Sequence, residues 1–134
     1  MDQSTAVLQG LNVLVVDDDP DARDLVEIIL ARQGAQVRKA ASAAEALAAL
    51  NQWPPDVLIC DIGMPEEDGY SLIRKVRARE ASRGGRIPAL ALTAWGRAED
   101  RQRALAAGFH THLAKPAHPE ELARVVAGLS HGRA

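Results

Sequence analysis

The residues of this chain that could do chemistry stand at the ends of apolar runs. Asp17 and Asp18 follow Leu11-Asn12-Val13-Leu14-Val15-Val16, and Asp61 closes Asp56-Val57-Leu58-Ile59-Cys60. Thr93 follows Ile87-Pro88-Ala89-Leu90-Ala91-Leu92, and Lys115 follows the segment from Phe109 to Ala114. Clustered carboxylates repel and raise one another's pKa unless positive charge sits among them. A hard divalent cation meets that need through oxygen ligands, and Mg²⁺ typically takes one or two carboxylates with phosphate oxygens and water. Phosphoryl transfer asks for positioning and charge neutralisation more than for covalent help. These residue types divide that work. Asp61 would be the nucleophile, attacking phosphorus to give an acyl phosphate. Mg²⁺ would neutralise one side of the phosphoryl group, Lys115 would pair with another oxygen, and the Thr93 hydroxyl would hydrogen-bond a third. Taken singly each has a plainer reading, since polar residues end most strands and Asp17 to Asp21 would serve as a helix-capping cluster. Their joint placement is what points to a site.

The elements that must position them can be read from the periodicity. Runs of Val, Leu, Ile and Cys without alternation predict strands covered on both faces, as in a parallel sheet. Three such segments are expected, at residues 11–16, 56–61 and 87–92, with a weaker strand at 35–40 and a fifth, less apolar one at 109–114. Helices fall between and after them. The first starts at Pro20, with Asp residues flanking its N-terminus, and stops at Gly34; Ala22, Leu25, Val26 and Ile29 recur along it at helical spacing. The second starts at Ser42, where Glu45 completes a capping box, and ends near Asn51 before Trp53-Pro54-Pro55. The third is expected over 67–79, followed by a flexible loop at Arg83-Gly84-Gly85-Arg86. The fourth covers 97–107 and stops at Gly108. The last starts at Pro119, runs to about Leu129, and turns Leu122, Val125 and Val126 inward. Strands alternating with helices imply parallel βαβ units, hence a doubly wound α/β domain. With sheet order 2-1-3-4-5, strands one and three flank the switch point, and the candidate residues converge on one crevice.

Composition narrows the function classes. The chain has 134 residues, enough for one domain with a real core, and no linker or repeat divides it. Hydrophobic residues make up 47% and charged residues 25%, which is a globular balance. A net charge of −2 provides neither a nucleic-acid footprint nor a polybasic membrane patch. Cys60 is the only cysteine, so no internal disulfide forms and a buried thiol in a reducing compartment is expected. Met1 to Thr5 lack the pattern of a signal peptide, no apolar run approaches membrane-spanning length, and a cytoplasmic location is the expectation.

On these residues the chain resembles a response-regulator receiver domain over about Leu11 to Leu129. The resemblance rests on Val15-Val16-Asp17-Asp18-Asp19, on Asp61-Ile62-Gly63-Met64-Pro65 with Asp68-Gly69, on Leu92-Thr93-Ala94, and on Lys115-Pro116. It implies the flavodoxin-like fold of five parallel strands and five helices. It also implies phosphotransfer to Asp61 from the phosphohistidine of a histidine kinase or a histidine phosphotransfer protein. Asp18, Asp61 and the Gly63 carbonyl would bind Mg²⁺ or Mn²⁺, with Asp17 helping through water. Lys115-Pro116 would be a cis peptide. The stretches Leu92-Thr93-Ala94-Trp95-Gly96 and Gly108 to Pro116 look most like receivers at the C-terminus of hybrid sensor kinases, with single-domain receivers as the other home. No room for a DNA-binding output domain is expected after Leu129.

Some residues depart from the pattern. Receivers commonly carry Tyr or Phe three residues before the lysine, where this chain has His112. It is read as an edge-strand histidine, with a planar switch that titrates near neutrality as the alternative. His110, His118 and His131 read as surface residues. Trp95 and Gly63 occupy positions that tend to modulate phosphate lifetime in receivers; packing on the fourth helix is the plainer reading of Trp95. Asp17-x-Asp19-x-Asp21 is not an EF-hand, because Ala22 replaces the required glycine and Ile28 stands where a bidentate Glu belongs. Nor is it the start of a haloacid-dehalogenase phosphohydrolase, whose Asp-x-Asp precedes Thr or Val. Three functions compete: a phosphoacceptor signalling domain, not an enzyme on other substrates; a phosphate-independent interaction module on the same fold; and a small-molecule enzyme or FMN carrier. The full acid, threonine and lysine set favours the first, and four acids stand where FMN would want a Ser/Thr/Gly loop.

Overall fold

A computed structural model describes residues 7–94 and 97–131. Trp95 and Met1 to Thr5 lie outside the described residues. The chain alternates strand and helix: β1 (Asn12–Val16), α1 (Pro20–Arg32), β2 (Gln36–Ala40), α2 (Ala43–Gln52), β3 (Val57–Asp61), α3 (Gly69–Arg77). After a 3₁₀ turn (Ala81–Arg83) come β4 (Ala89–Thr93), α4 (Ala98–Ala107), β5 (Thr111–Ala114) and α5 (Pro119–His131). All strand pairings are parallel, in the order β2-β1-β3-β4-β5. This is the flavodoxin-like doubly wound arrangement. No helix among the described residues is long and apolar enough to cross a membrane.

The uninterrupted apolar runs are explained by a core on each face of the sheet. Alternate strand residues point opposite ways, so Val13, Val15, Ile59 and Leu90 meet Val26, Leu30 and Leu122 of α1 and α5. Leu14, Val16, Leu58 and Cys60 meet Leu50, Leu72, Ile73 and Val76 of α2 and α3. Helix starts follow side-chain chemistry. Asp19 accepts the Asp21 N–H at 3.0 Å ahead of Pro20, Ser42 Oγ accepts from Glu45 at 3.1 Å, and Asp68 accepts from Ser71 at 2.9 Å. Helix α1 ends where Gly34 takes φ +97°.

Two expectations change and one open choice is decided. Helix α3 is shorter than 67–79, because Asp68 is the residue that caps it. Leu25, whose spacing suited either burial against the sheet or a docking face near the site, is 49% exposed, as is Ile28 at 48%. The glycine pair after α3 is not a loose loop. Gly84 takes φ +91° and the Gly85 N–H bonds Glu80 O at 3.0 Å. A Cβ at Gly85 would stand 2.0 Å from Arg79 O, so the backbones are in contact there.

Candidate functional site

Parallel pairing puts the carboxyl ends of all strands on one rim, and register sets their heights. Val16 lies opposite Cys60, Asp61 opposite Leu92, and Thr93 opposite Ala114. Asp17, Asp61, Thr93 and Lys115 therefore emerge at nearly one level. Asp17, Asp61 and Thr93 are buried polar residues. Lys115 reaches back across the rim, with Nζ 3.0 Å from Asp17 Oδ2 and 3.3 Å from Asp61 Oδ1. Its own N–H donates to Thr93 O at 2.7 Å, and the Lys115–Pro116 peptide is cis.

The carboxylates are held by backbone donors. Asp17 Oδ1 accepts the Asp19 N–H at 2.9 Å, and Asp61 Oδ1 accepts the Gly63 N–H at a long 3.3 Å. Gly69, the first residue of α3, lies so close to β3 that a Cβ would come 2.8 Å from Asp61 O. One carboxylate oxygen each from Asp17, Asp18 and Asp61 can be chosen so that all three lie within 4.8 Å of one another, Asp18 being the exposed member. The group could hold a hard cation, since Asp17 Oδ2 is buried and has no aligned hydrogen-bond donor although the Lys115 ammonium is near.

Charge and burial set the ionisation of the site. Burial, and then the Asp17 carboxylate, raise the Asp61 carboxyl above its usual pKa, with Lys115 opposing them. Burial pulls the Lys115 ammonium down, but its contacts with Asp17 and Asp61 outweigh that and leave its pKa raised. Burial, then Asp61, pushes the Cys60 thiol up, so it stays neutral and unreactive.

Asp17, Asp18, Asp61 and Lys115 are thus brought together by distance, with Thr93 and Gly63 placed beside them by register and loop. His112 is half-buried on edge strand β5, bordering a groove with His118 and Glu121. His110 is exposed as expected, yet its Nδ1 accepts the Ala89 N–H at 3.1 Å and lies 3.4 Å from Arg77 Nη2. Two features escaped the sequence reading. Arg23 Nη1 donates to the backbone carbonyl of Asp17 at 2.8 Å. An apolar hollow of about 400 Å³ opens beside the site between α1 and the β5–α5 turn, lined by Ala22, Leu25, Ile29, Pro116 and Ala117. Leu25 was the available signal for the hollow; a bond to a backbone carbonyl leaves no spacing to read.

The sequence profile of the response regulator receiver domain matches residues 13–127. The chain belongs to this family. The receiver is 50% identical over 119 residues to a 14.6 kDa uncharacterized protein of Leptolyngbya boryana, covering 89% of each chain. It is 40% identical over 112 residues to the transcriptional regulatory protein PhoP of Escherichia coli, covering 84% of the receiver and 48% of PhoP. The receiver therefore spans about half the length of that regulator. Among solved structures it resembles the signal receiver domain of a signal transduction histidine kinase from Syntrophus aciditrophicus, with TM-score 0.82, 31% identity and 92% of each chain covered. Receivers are signalling domains of two-component systems, and the acidic cluster found here is of the kind that could hold a metal.

Proposed function

We propose that this receiver is a phosphorelay acceptor, in which Asp61 takes a phosphoryl group from a phosphohistidine of a histidine kinase or histidine phosphotransfer protein. An Asp61 carboxylate oxygen forms the new bond to phosphorus as the bond from phosphorus to imidazole nitrogen breaks. The imidazole leaves with the electron pair and takes a proton from solvent. The observation that carries this reading is the Lys115 ammonium between two buried carboxylates, 3.0 Å from Asp17 and 3.3 Å from Asp61. Asp18, Asp61 and the Gly63 carbonyl would hold Mg²⁺ or Mn²⁺, with Asp17 acting through water, and the cation would neutralise charge on the phosphoryl oxygens. Lys115 would follow a second phosphoryl oxygen and the Thr93 hydroxyl a third. Engagement of Thr93 would shift a population between two packings of α4, β5 and α5, the face offered to a partner.

The donor docks, on this reading, over α1, where exposed Leu25 and Ile28 continue the apolar lining of the hollow beside the site. The receiver works in the cytoplasm without itself touching nucleic acid or membrane, either alone or attached to a hybrid kinase. The kinase-borne receiver of Syntrophus aciditrophicus supports the attached setting, and the similarly sized Leptolyngbya protein the single-domain one.

Intact mass spectrometry after incubation with acetyl phosphate and Mg²⁺ tests the chemistry. Wild type is expected to gain one phosphoryl group, while Asp61→Asn and an EDTA control gain none. Should acetyl phosphate fail, a phosphorylated histidine phosphotransfer protein is the next donor. No transfer from either would favour a phosphate-independent interaction module.

A further inference from the structure

We propose that Arg23 is a positioning residue of the cation site: it holds the Asp17–Asp18 peptide turned so that two consecutive carboxylates face Asp61. The proposal rests on the reading that the acidic cluster binds a divalent cation. Successive side chains of an extended chain project to opposite sides. Asp17 and Asp18 nevertheless each bring a carboxylate oxygen within 4.8 Å of an Asp61 oxygen, so the chain must turn between them. The hydrogen bonds locate the turn. The Asp17 N–H still donates to Ala40 O at 3.1 Å, continuing the β1–β2 pairing. The Asp17 carbonyl instead accepts from Arg23 Nη1 at 2.8 Å. Arg23 is anchored in the first turn of α1, where its own N–H bonds Asp19 O at 3.0 Å. A charge-assisted bond from a rigid helix therefore fixes the peptide that joins the two acids.

A competing role for Arg23 is to offset the negative charge of the cluster, and the two roles differ in sign. A charge-offsetting arginine weakens cation binding, so its removal would tighten it. A peptide clamp favours binding, so its removal loosens it. Mn²⁺ binding to the full chain, followed by the electron paramagnetic resonance signal of free Mn²⁺, reads this directly, with thermal unfolding in EDTA as the fold control. Arg23→Met is expected to weaken Mn²⁺ binding about tenfold, as loss of a residue that orients a metal ligand commonly does. Arg23→Lys, which keeps a donor of similar reach, is expected to recover most of that loss. Affinity within about twofold of wild type, or tighter, in Arg23→Met overturns the proposal and leaves the cation reading intact. If Arg23→Met lacks a cooperative unfolding transition, Arg23→Gln, polar but too short to reach, is judged by the same limits. Wild type that binds no Mn²⁺ would remove the cation reading and this proposal together.

Discussion

Asp61 sits in a place that disfavours its own charge. Its carboxyl pKa is raised above the usual 3.8, by burial first and by Asp17 second. The folded state then holds the proton more tightly than the unfolded chain, so stability falls as pH rises from 3.8 through the folded-state value and is flat above it. Asp61→Asn is accordingly expected to raise stability at neutral pH in EDTA by on the order of 1 kcal/mol, about 4 °C in a domain of this size. Urea titration checks it, and the stability that Mg²⁺ adds to wild type should be lost in the same variant. His110 has the opposite slope. Burial, then Arg77, holds its pKa below 6.5, and its unprotonated Nδ1 accepts the Ala89 N–H. The stability this bond contributes is full above pH 6.5 and is lost as pH falls through the folded-state value. His110→Ala should cost about 1 kcal/mol at neutral pH, and its unfolding curves should converge on wild type in acid. Asp17, Asp61 and Thr93 were legible because each closes an apolar run, and Lys115 because it stands before Pro116 at the end of the last strand. Arg23 and the tie of His110 were not, because each bonds a backbone group whose position only the fold decides.

At the scale of elements, the starts of α1 and α2 were the most legible, since Asp19 and Ser42 cap them, whereas the Asp68 cap of α3 was not read. Elements are less legible where tertiary contact decides over local pattern. Leu25 has helical spacing with core residues, which left its burial open, and it falls outside the narrow stripe of Val26, Ile29 and Leu30 that α1 buries. The Gly84-Gly85 pair reads as flexible in composition, while in the fold Gly85 presses against Arg79 O. The exposed apolar face of α1 supports a specific expectation. Leu25→Glu with Ile28→Glu should change stability by less than about 0.5 kcal/mol per site, since both residues are half in solvent. The pair should slow phosphoryl transfer from a protein donor severely and leave acceptance from acetyl phosphate near wild type. Equal loss with both donors would remove α1 from the docking face.

For the whole molecule, two cores share one sheet, and β1, β3 and β4 contribute buried residues to both. Leu14 packs on the α2 and α3 side and Leu90 on the α1 and α5 side, both fully buried. Either Leu→Ala change is expected to cost about 3 kcal/mol, a large part of the roughly 5–15 kcal/mol that holds a domain together. Both variants should unfold in a single transition by circular dichroism and fluorescence alike; separate transitions would mean that the two layers come apart independently. The fold class was legible because β1, β3 and β4 are buried on both faces and so have no polar alternation to confuse them. The one rim that collects Asp17, Asp61, Thr93 and Lys115 draws on strands that are made at very different times during synthesis. A chain still on the ribosome has its acids long before its lysine, and the rim closes only when β5 joins β4. Fragments that end before β5 therefore carry the Asp61 and Asp17 carboxylates without the Lys115 ammonium that balances them.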